Sequence, residues 1–181
     1  MEGSLGEELV SSQRIYEGRV VKLRVDTVRL PSGRTTTREI VEHRGSVAIV
    51  ALGEEDNVLL VNQFRAAVGR ALLEIPAGTL EAGEEAEACA LRELQEETGY
   101  VAGHIEELHV FYTSPGFSNE RISLYLATAL KPGSQDMETD ESIELVRLPL
   151  SRTVEMIASG EICDGKTILG LMAAHTKMAA S

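Results

Sequence analysis

The sequence predicts an α/β fold in which helices cover a mixed β-sheet. Two apolar runs, residues 46–52 and 57–64, are joined by a polar turn and are typical of buried strands. Residues 84–98 contain no Gly or Pro and are followed by Gly99, which is typical of a helix with a glycine C-cap. Strand patterns outnumber helix patterns but the helices are substantial, so we expect a sandwich of helices on a mixed sheet.

The other elements follow from the same signals in order along the chain. Residues 1–13 are predicted to be a loose arm, whereas 18–30 and 34–43 are predicted to form a β-hairpin around a turn at 31–33. The remaining predicted elements are a short strand at 73–78, strands at 104–114, 121–130 and 143–150, a helix capped by Ser151 that runs to Ala158, and an amphipathic helix at 164–178.

Length and charge limit the class of protein. The 181 residues suffice for one domain with a small N-terminal extension, and 29 acidic against 17 basic residues give a formal net charge of −12. This charge argues against a polynucleotide-binding surface. There is no run of 18 apolar residues to span a membrane, and the acidic N-terminus does not resemble a signal peptide, so we expect a cytoplasmic protein. Cys89 and Cys163 are expected to be buried, reduced thiols.

The predicted helix at 84–98 carries carboxylates on its apolar side. On a helical wheel of 100° per residue, Ala86, Ala90 and Leu94 share one arc of small and apolar side chains. Glu93 and Glu97 fall inside this arc and are therefore predicted to point toward the protein body. The alternative is a solvated acidic face, which fits poorly because such a face would lie opposite the apolar arc.

Carboxylates that point inward side by side need compensating charge. Glu96 lies four residues after Arg92 and is expected to pair with it. A divalent cation would compensate the others, because Mg²⁺ and Mn²⁺ take carboxylate and water oxygens together with substrate phosphates. The pattern therefore favours a metal site that handles a phosphate anion.

This segment resembles the signature of the Nudix hydrolases. The signature positions are met by Gly78, Glu84, Arg92-Glu93-Leu94, Glu96-Glu97 and Gly99, and Tyr100 replaces the usual aliphatic residue at the last position. The resemblance implies an α/β/α sandwich that hydrolyses a nucleoside diphosphate linked to another moiety, with Mg²⁺ or Mn²⁺. It implies that Glu93, Glu96 and Glu97 bind the metal together with the main-chain carbonyl of Ala77, and that Glu84 and Arg92 are chiefly structural. We therefore place Glu93 and Glu97 among the catalytic residues.

Within this family the chain is most similar to the ADP-ribose pyrophosphatases. Residues 63–78 resemble the segment that leads into their signature, and Pro115 lies 15 residues beyond the last signature position, where they have a marker proline. Residues 37–43 resemble their N-terminal hairpin, which is swapped across a dimer. The resemblance implies a homodimer, with an arm and swapped hairpin at 1–44 and a catalytic domain at 45–181.

The resemblance also implies a set of substrate-binding residues. Arg38 and Glu39 would contact the adenine side or the diphosphate across the dimer, and Arg65 would bind phosphate through its bidentate guanidinium. The other predicted members of the set are Gly78, Glu81, Ser114, Gly116 and Glu120. Surface salt bridges remain the alternative for both arginines, and a solubilising charge at a strand edge remains the alternative for Glu120.

A general base is expected on the acidic loop before the last strand, where these pyrophosphatases often carry a Glu. Glu141 is the best match, with Glu138 and Glu144 as alternatives. A loop in this position can close and exclude water from the reacting atoms. The alternative is a solvated acidic loop, and Thr139 and Ser142 interrupt its acidic run.

Together these features predict a homodimeric, Mg²⁺-dependent enzyme that hydrolyses ADP-ribose to AMP and ribose 5-phosphate. A pyrophosphatase for another nucleoside diphosphate derivative, such as GDP-mannose, would share the metal helix and stays open. A Nudix module that binds a nucleotide without hydrolysing it is a third hypothesis. The signature glutamates that such modules commonly lose are all present here.

Overall fold

Strands and helices follow one another in the order expected for a sheet covered by helices. The structure, a computed structural model, describes residues 6–134 and 143–180. Its strands are β1 (Glu8–Glu17), β2 (Lys22–Arg29), β3 (Thr35–Glu42), β4 (Ser46–Leu52), β5 (Asn57–Arg65), β6 (Arg70–Glu74), β7 (Ala77–Thr79), β8 (Tyr100–Val101), β9 (His104–Tyr112), β10 (Arg121–Thr128), β11 (Lys131–Pro132) and β12 (Ile143–Pro149). Its α-helices are α1 (Ala86–Thr98), α2 (Leu150–Ser159) and α3 (Gly165–Ala179), and a 3-10 helix spans Glu54–Asp56. None of these helices is long and apolar enough to cross a membrane.

The central sheet combines parallel and antiparallel strands. Its order is β12-β5-β4-β10-β9, with β6 paired to β5 and β7 paired to β4. β10 is parallel to β4, whereas β5 is antiparallel to both β4 and β12. The mixed sheet expected from the sequence is therefore confirmed.

The two faces of strand β4 belong to two hydrophobic cores. Val47 and Ile49 pack with Leu94 of α1, whereas Val50 packs with Leu171 of α3. Successive side chains of a strand point to opposite faces, so α1 covers one face of the sheet and α3, together with α2, covers the other. This is the α/β/α sandwich that the sequence predicts.

The N-terminal part of the chain has its own sheet and belongs to a separate unit. This unit contains the described residues up to Gly45 together with Tyr112–Arg121, and the second unit contains the described residues from Ser46 to Phe111 and from Ile122 onward. The strand order in the N-terminal sheet is β1-β2-β3, and β2 is antiparallel to both neighbours. The predicted hairpin is thus strands β2 and β3.

Several local predictions were wrong. Residues 8–13, predicted to belong to a loose arm, are part of strand β1, which pairs with β2. Helix α1 begins at Ala86, so Glu84 lies in the turn before it. Ser151 lies inside α2, whose N-cap is Pro149. Cys89 is buried as expected, but Cys163 is exposed, and both thiols are free.

Candidate active site

Strand β7 brings Gly78 directly against helix α1. The strand pairs with β4, so the segment before the helix is held by the central sheet. A Cβ added at Gly78 would lie 1.8 Å from the carboxyl carbon of Glu93 and 1.9 Å from its Oε1. Only glycine therefore leaves room for the Glu93 carboxylate, which explains why these two signature positions depend on each other.

Glu97 lies one helical turn beyond Glu93 and deeper in the protein. It is 3% exposed, and its Oε2 accepts a hydrogen bond of 3.1 Å from the main-chain N–H of Ala77. The side chain of Glu93 is 14% exposed and that of Glu96 is 34% exposed. The prediction that Glu93 and Glu97 point toward the protein body is confirmed.

Arg92 connects the carboxylate of Glu84, which precedes α1, with two carboxylates of the helix. Its Nε and Nη2 donate to the two carboxylate oxygens of Glu84 at 2.9 and 3.0 Å. Its Nη1 donates to Glu93 Oε1 at 2.9 Å and to Glu96 Oε2 at 2.8 Å, which confirms the predicted pairing with Glu96. The hydrogen bond with Glu84 is the main cause of a raised pKa for Arg92, which therefore remains a cation.

Glu84 closes the turn that precedes α1. Its Oε2 accepts a hydrogen bond of 2.9 Å from the N–H of Glu81, and the N–H of Glu84 donates back to the carbonyl of Glu81 at 3.2 Å. The hydrogen bond from Arg92, followed by that from Glu81, lowers the pKa of Glu84 from 4.5 to about 2. An ionised Glu84 that orients Arg92 fits the structural role implied by the resemblance. Glu81, a predicted substrate-binding residue, is exposed at this turn.

The three signature glutamates do not converge on one point in this arrangement. Within residues 6–134 and 143–180, no group of three or more His, Cys, Asp or Glu side chains is placed to hold a metal ion. Arg92 bonds to both Glu93 and Glu96, and Glu97 bonds to the Ala77 N–H. These carboxylate oxygens are the ligands that a hard cation prefers, and the hydrogen bonds from Arg92 Nη1 use one oxygen of Glu93, Oε1, and one of Glu96, Oε2. The metal-binding set stays a prediction.

Arg65 forms an ion pair with the buried Glu74. Its Nε and Nη2 donate to the two carboxylate oxygens of Glu74, each at 2.8 Å. The hydrogen bond with Glu74 is the main cause of a raised pKa for Arg65, burial opposes it, and the charges of Glu97 and Asp164 add to it. The sequence analysis predicted a role for Arg65 but none for Glu74. Glu74 could have been noticed because it is a lone carboxylate within the otherwise apolar residues 72–76.

Arg38 and Glu39 lie on strand β3 of the N-terminal unit. Arg38 forms an ion pair with Glu7, donating from Nη2 at 2.5 Å and from Nε at 3.2 Å. Glu39 is exposed. The salt bridge that the sequence left open for Arg38 is therefore present, and a role in substrate binding stays a prediction.

Three other predicted substrate-binding residues belong to the N-terminal unit and lie in the chain segment that joins strand β9 to strand β10. Glu120 accepts a hydrogen bond of 2.7 Å from the Thr113 hydroxyl, and its Oε1 lies 3.7 Å from His43 Nδ1. The Ser114 carbonyl accepts two main-chain hydrogen bonds, which hold the turn that contains Gly116. This turn is therefore well defined, and its role in substrate binding stays a prediction.

The predicted general base falls outside the described residues. Glu141 and Glu138 both belong to this undescribed segment. Glu144 lies on β12, where its Oε2 accepts a hydrogen bond of 3.2 Å from Asn62 Nδ2. The assignment of the base to Glu141 stays a prediction.

The fold and the signature site define a class of enzyme. The NUDIX domain family matches residues 42–162, and the nucleoside diphosphate sugar hydrolase N-terminal domain family matches residues 7–41. The chain belongs to the Nudix hydrolase family and is an enzyme of that family. The family resemblance found in the sequence is thus confirmed.

Relatives of the chain carry several names. It is 43% identical to the methanol dehydrogenase activator of Bacillus methanolicus, over 91% of this chain and 90% of the relative. It is 40% identical to the ADP-ribose pyrophosphatase of Bacillus subtilis (strain 168), over 97% of this chain and 96% of the relative. It is 37% identical to the GDP-mannose pyrophosphatase of Citrobacter koseri, over 77% of this chain and 78% of the relative. A solved structure described as an ADP compounds hydrolase has the same fold, with a TM-score of 0.85 at 17% identity over 96% of this chain and 95% of that one.

Proposed function

We propose that this enzyme hydrolyses the diphosphate bond of ADP-ribose, in the presence of Mg²⁺, to AMP and ribose 5-phosphate. The observation that carries the proposal is the arrangement of Glu93 against Gly78 and of Glu97 against Ala77, with Arg65 held in the same unit by its ion pair with the buried Glu74. The choice of substrate is supported by the 40% identity with an ADP-ribose pyrophosphatase over nearly the whole chain.

Glu93, Glu96 and Glu97, with the main-chain carbonyl of Ala77, would hold the Mg²⁺. The set consists of oxygen donors, which hard cations prefer, and the recess at Gly78 already accommodates one of the carboxylates. When bound, the metal neutralises the diphosphate and lowers the pKa of a water molecule. Mn²⁺ is the alternative ion because it shares this ligand preference.

Arg65 would bind the diphosphate. A guanidinium has five N–H donors, and Glu74 engages Arg65 through two of its nitrogens. The Arg65 side chain is 38% exposed, so the other donors can reach a phosphate oxygen. Glu141 would take the proton of the attacking water. The other substrate contacts would come from Gly78, Glu81, Ser114, Gly116 and Glu120, and from Arg38 and Glu39 across a homodimer.

A pyrophosphatase for a sugar nucleotide is the second candidate. The 37% identity with a GDP-mannose pyrophosphatase and the N-terminal match to nucleoside diphosphate sugar hydrolases both favour it. A module that binds a nucleotide without turnover is the third, and the complete set of signature glutamates argues against it. The identity with a methanol dehydrogenase activator adds dehydrogenase activation as a function to include in the assay.

The test is turnover of a substrate panel by purified protein with Mg²⁺. The panel contains ADP-ribose, GDP-mannose, NADH, diadenosine polyphosphates and dNTPs, and a parallel assay adds methanol dehydrogenase. The variants are Glu97→Gln, which keeps shape but removes charge, and Glu87→Gln, a matched change at an exposed position of the same helix. We expect ADP-ribose to be preferred, with activity lost in Glu97→Gln and on addition of a chelator but kept in Glu87→Gln.

The other outcomes separate the candidates. Preference for GDP-mannose would keep the metal site and overturn the choice of substrate. Tight nucleotide binding without turnover, unaffected by a chelator, would overturn hydrolysis and support the binding module. Equal loss of activity in both glutamine variants would show that the assay reports damage to helix α1 rather than the role of Glu97.

A further inference from the structure

A buried ion network connects strand β6 with the first turn of helix α3. Glu74 is 1% exposed, and its carboxylate accepts hydrogen bonds from Arg65 and from Lys166 Nζ. Burial acts to raise the pKa of Glu74, but the Arg65 hydrogen bond and the Lys166 charge outweigh it, so that the pKa is lowered. Glu74 is therefore a buried, ionised carboxylate held by two cations.

Lys166 is itself held by helix α3. Its Nζ donates to Asp164 Oδ2 at 3.0 Å, and this oxygen also accepts from the N–H and the hydroxyl of Thr167 at 3.0 and 2.6 Å. The Thr167 hydroxyl oxygen in turn accepts a hydrogen bond of 3.0 Å from the N–H of Ile75. Two consecutive residues, Glu74 and Ile75, are thus bound to the start of one helix.

The charges of this network balance. Arg65 and Lys166 contribute two positive charges, and Glu74 and Asp164 contribute two negative charges. Removal of the Lys166 charge would leave the network with a net negative charge and Glu74 with Arg65 as its remaining cation. A buried carboxylate that loses one of its two cationic partners interacts more strongly with the remaining cation. The Arg65 guanidinium would then be less available to an anion.

We propose that Lys166 is a positioning residue for phosphate binding. It holds the Glu74 carboxylate, and Glu74 orients Arg65 so that the N–H groups not used by Glu74 face a phosphate of the substrate. Lys166 does not touch the substrate, and its side chain is only 14% exposed. The identity of the ligand rests on the proposed function, whereas the orientation of Arg65 does not.

The kinetic test compares Lys166→Met with Lys177→Met. Methionine keeps the apolar stem and removes the charge, and Lys177 is an exposed lysine of the same helix. We expect Lys166→Met to raise the KM for ADP-ribose about tenfold, which corresponds to the loss of one charge-assisted hydrogen bond, and Lys177→Met to leave the KM unchanged. In an Arg65→Met background, Lys166→Met should cause no further rise. Additive effects on KM, or a lowered melting temperature with an unchanged KM, would overturn the positioning role.

A second measurement does not depend on turnover. The Nε–H signal of Arg65 in a ¹⁵N-arginine NMR spectrum, assigned by its absence in Arg65→Lys, reports the hydrogen bond with Glu74. We expect Lys166→Met, but not Lys177→Met, to shift or broaden it. An unchanged signal would overturn the inference. A changed signal in a protein that hydrolyses no member of the panel would support the positioning of Arg65 and overturn the proposed function alone.

Discussion

Single residues decide the geometry of the signature helix. Gly78 provides the space that the Glu93 carboxylate occupies, and Arg92 distributes its donors over three carboxylates. Both contacts explain why the Nudix signature asks for a particular residue rather than for a class of residues. A side chain at position 78 or a shorter cation at position 92 would change where the carboxylates lie.

The substitution Gly78→Ala tests the recess at Glu93. The added methyl group would lie within 2.4 Å of all three carboxyl atoms of Glu93, so this side chain has to move. A displacement of about 1 Å in a catalytic group can lower activity by about 100-fold, and we expect kcat to fall by about this factor. Gly165→Ala is the matched control because its added methyl meets open space. Wild-type kcat in Gly78→Ala would show that the position of Glu93 is not critical.

Glu84 makes stability depend on pH in a defined window. Because its pKa falls from 4.5 to about 2 on folding, its contribution is fully present above about pH 4.5 and is lost as the pH falls toward 2. Glu84→Gln should therefore lower the unfolding free energy at pH 7 and flatten its decline between pH 4.5 and 2. Urea denaturation at several pH values measures this, with the exposed Glu87→Gln as control. An equally steep decline in Glu84→Gln would show that other groups control the acid sensitivity.

At the scale of elements, helix α3 is fixed to the sheet at its start and at its middle. Thr167 joins the first turn to Ile75 of the chain segment after β6. Further along, a Cβ at Gly170 would lie 2.9 Å from Ile75 Cδ1 and 3.0 Å from Val50 Cγ2, so the helix approaches the sheet closely there. This close packing places Lys166 beside Glu74, although the two residues are 92 positions apart in the sequence.

Thr167→Val tests the connection between α3 and the segment after β6. Thr167 is 0% exposed, and valine would leave the buried N–H of Ile75 without its acceptor. An unsatisfied buried donor costs about 1–3 kcal/mol, so we expect the unfolding free energy to fall by about this amount in urea denaturation. Thr176→Val is the control, because its hydroxyl is exposed and bonds within its own helix. Equal effects of both substitutions would locate the loss in helix propensity rather than in the contact.

At the scale of the whole molecule, strand β1 predicts self-association. It is an edge strand of the N-terminal sheet, and all ten of its residues are exposed. Leu9, Ile15 and Tyr16 are each at least half exposed. An exposed edge with apolar side chains is a surface that another strand or chain can cover. A second copy would do so in the homodimer that the family resemblance implies.

Analytical ultracentrifugation tests this prediction. We expect the wild type to sediment with twice the 19.6 kDa mass of one chain. Ile15→Glu should shift the protein toward the single-chain mass, because a carboxylate would be placed in the interface. Met178→Glu, at an exposed apolar position near the end of α3, should not. A wild type that sediments as a single chain would contradict dimerisation.

The sequence by itself determined the elements that bury an apolar face and the identity of the signature. Strands β4 and β5 and helix α1 have strong patterns because one or both of their faces enter a core. The same periodicity placed Glu93 and Glu97 on the inner side of α1. Strand β1 left no such pattern because all its residues are exposed, and only its pairing with β2 defines it.

Only the tertiary structure decided which distant residues meet in the site. The spacing of Gly78 and Glu93 was visible in the sequence, but their close contact depends on how β7 packs against α1. The partnership of Glu74 with Arg65 and Lys166 had no sequence signal beyond a charge in an apolar run. It exists because a buried carboxylate must be compensated, and the fold places Lys166 of helix α3 beside Glu74 of strand β6, 92 positions earlier in the sequence.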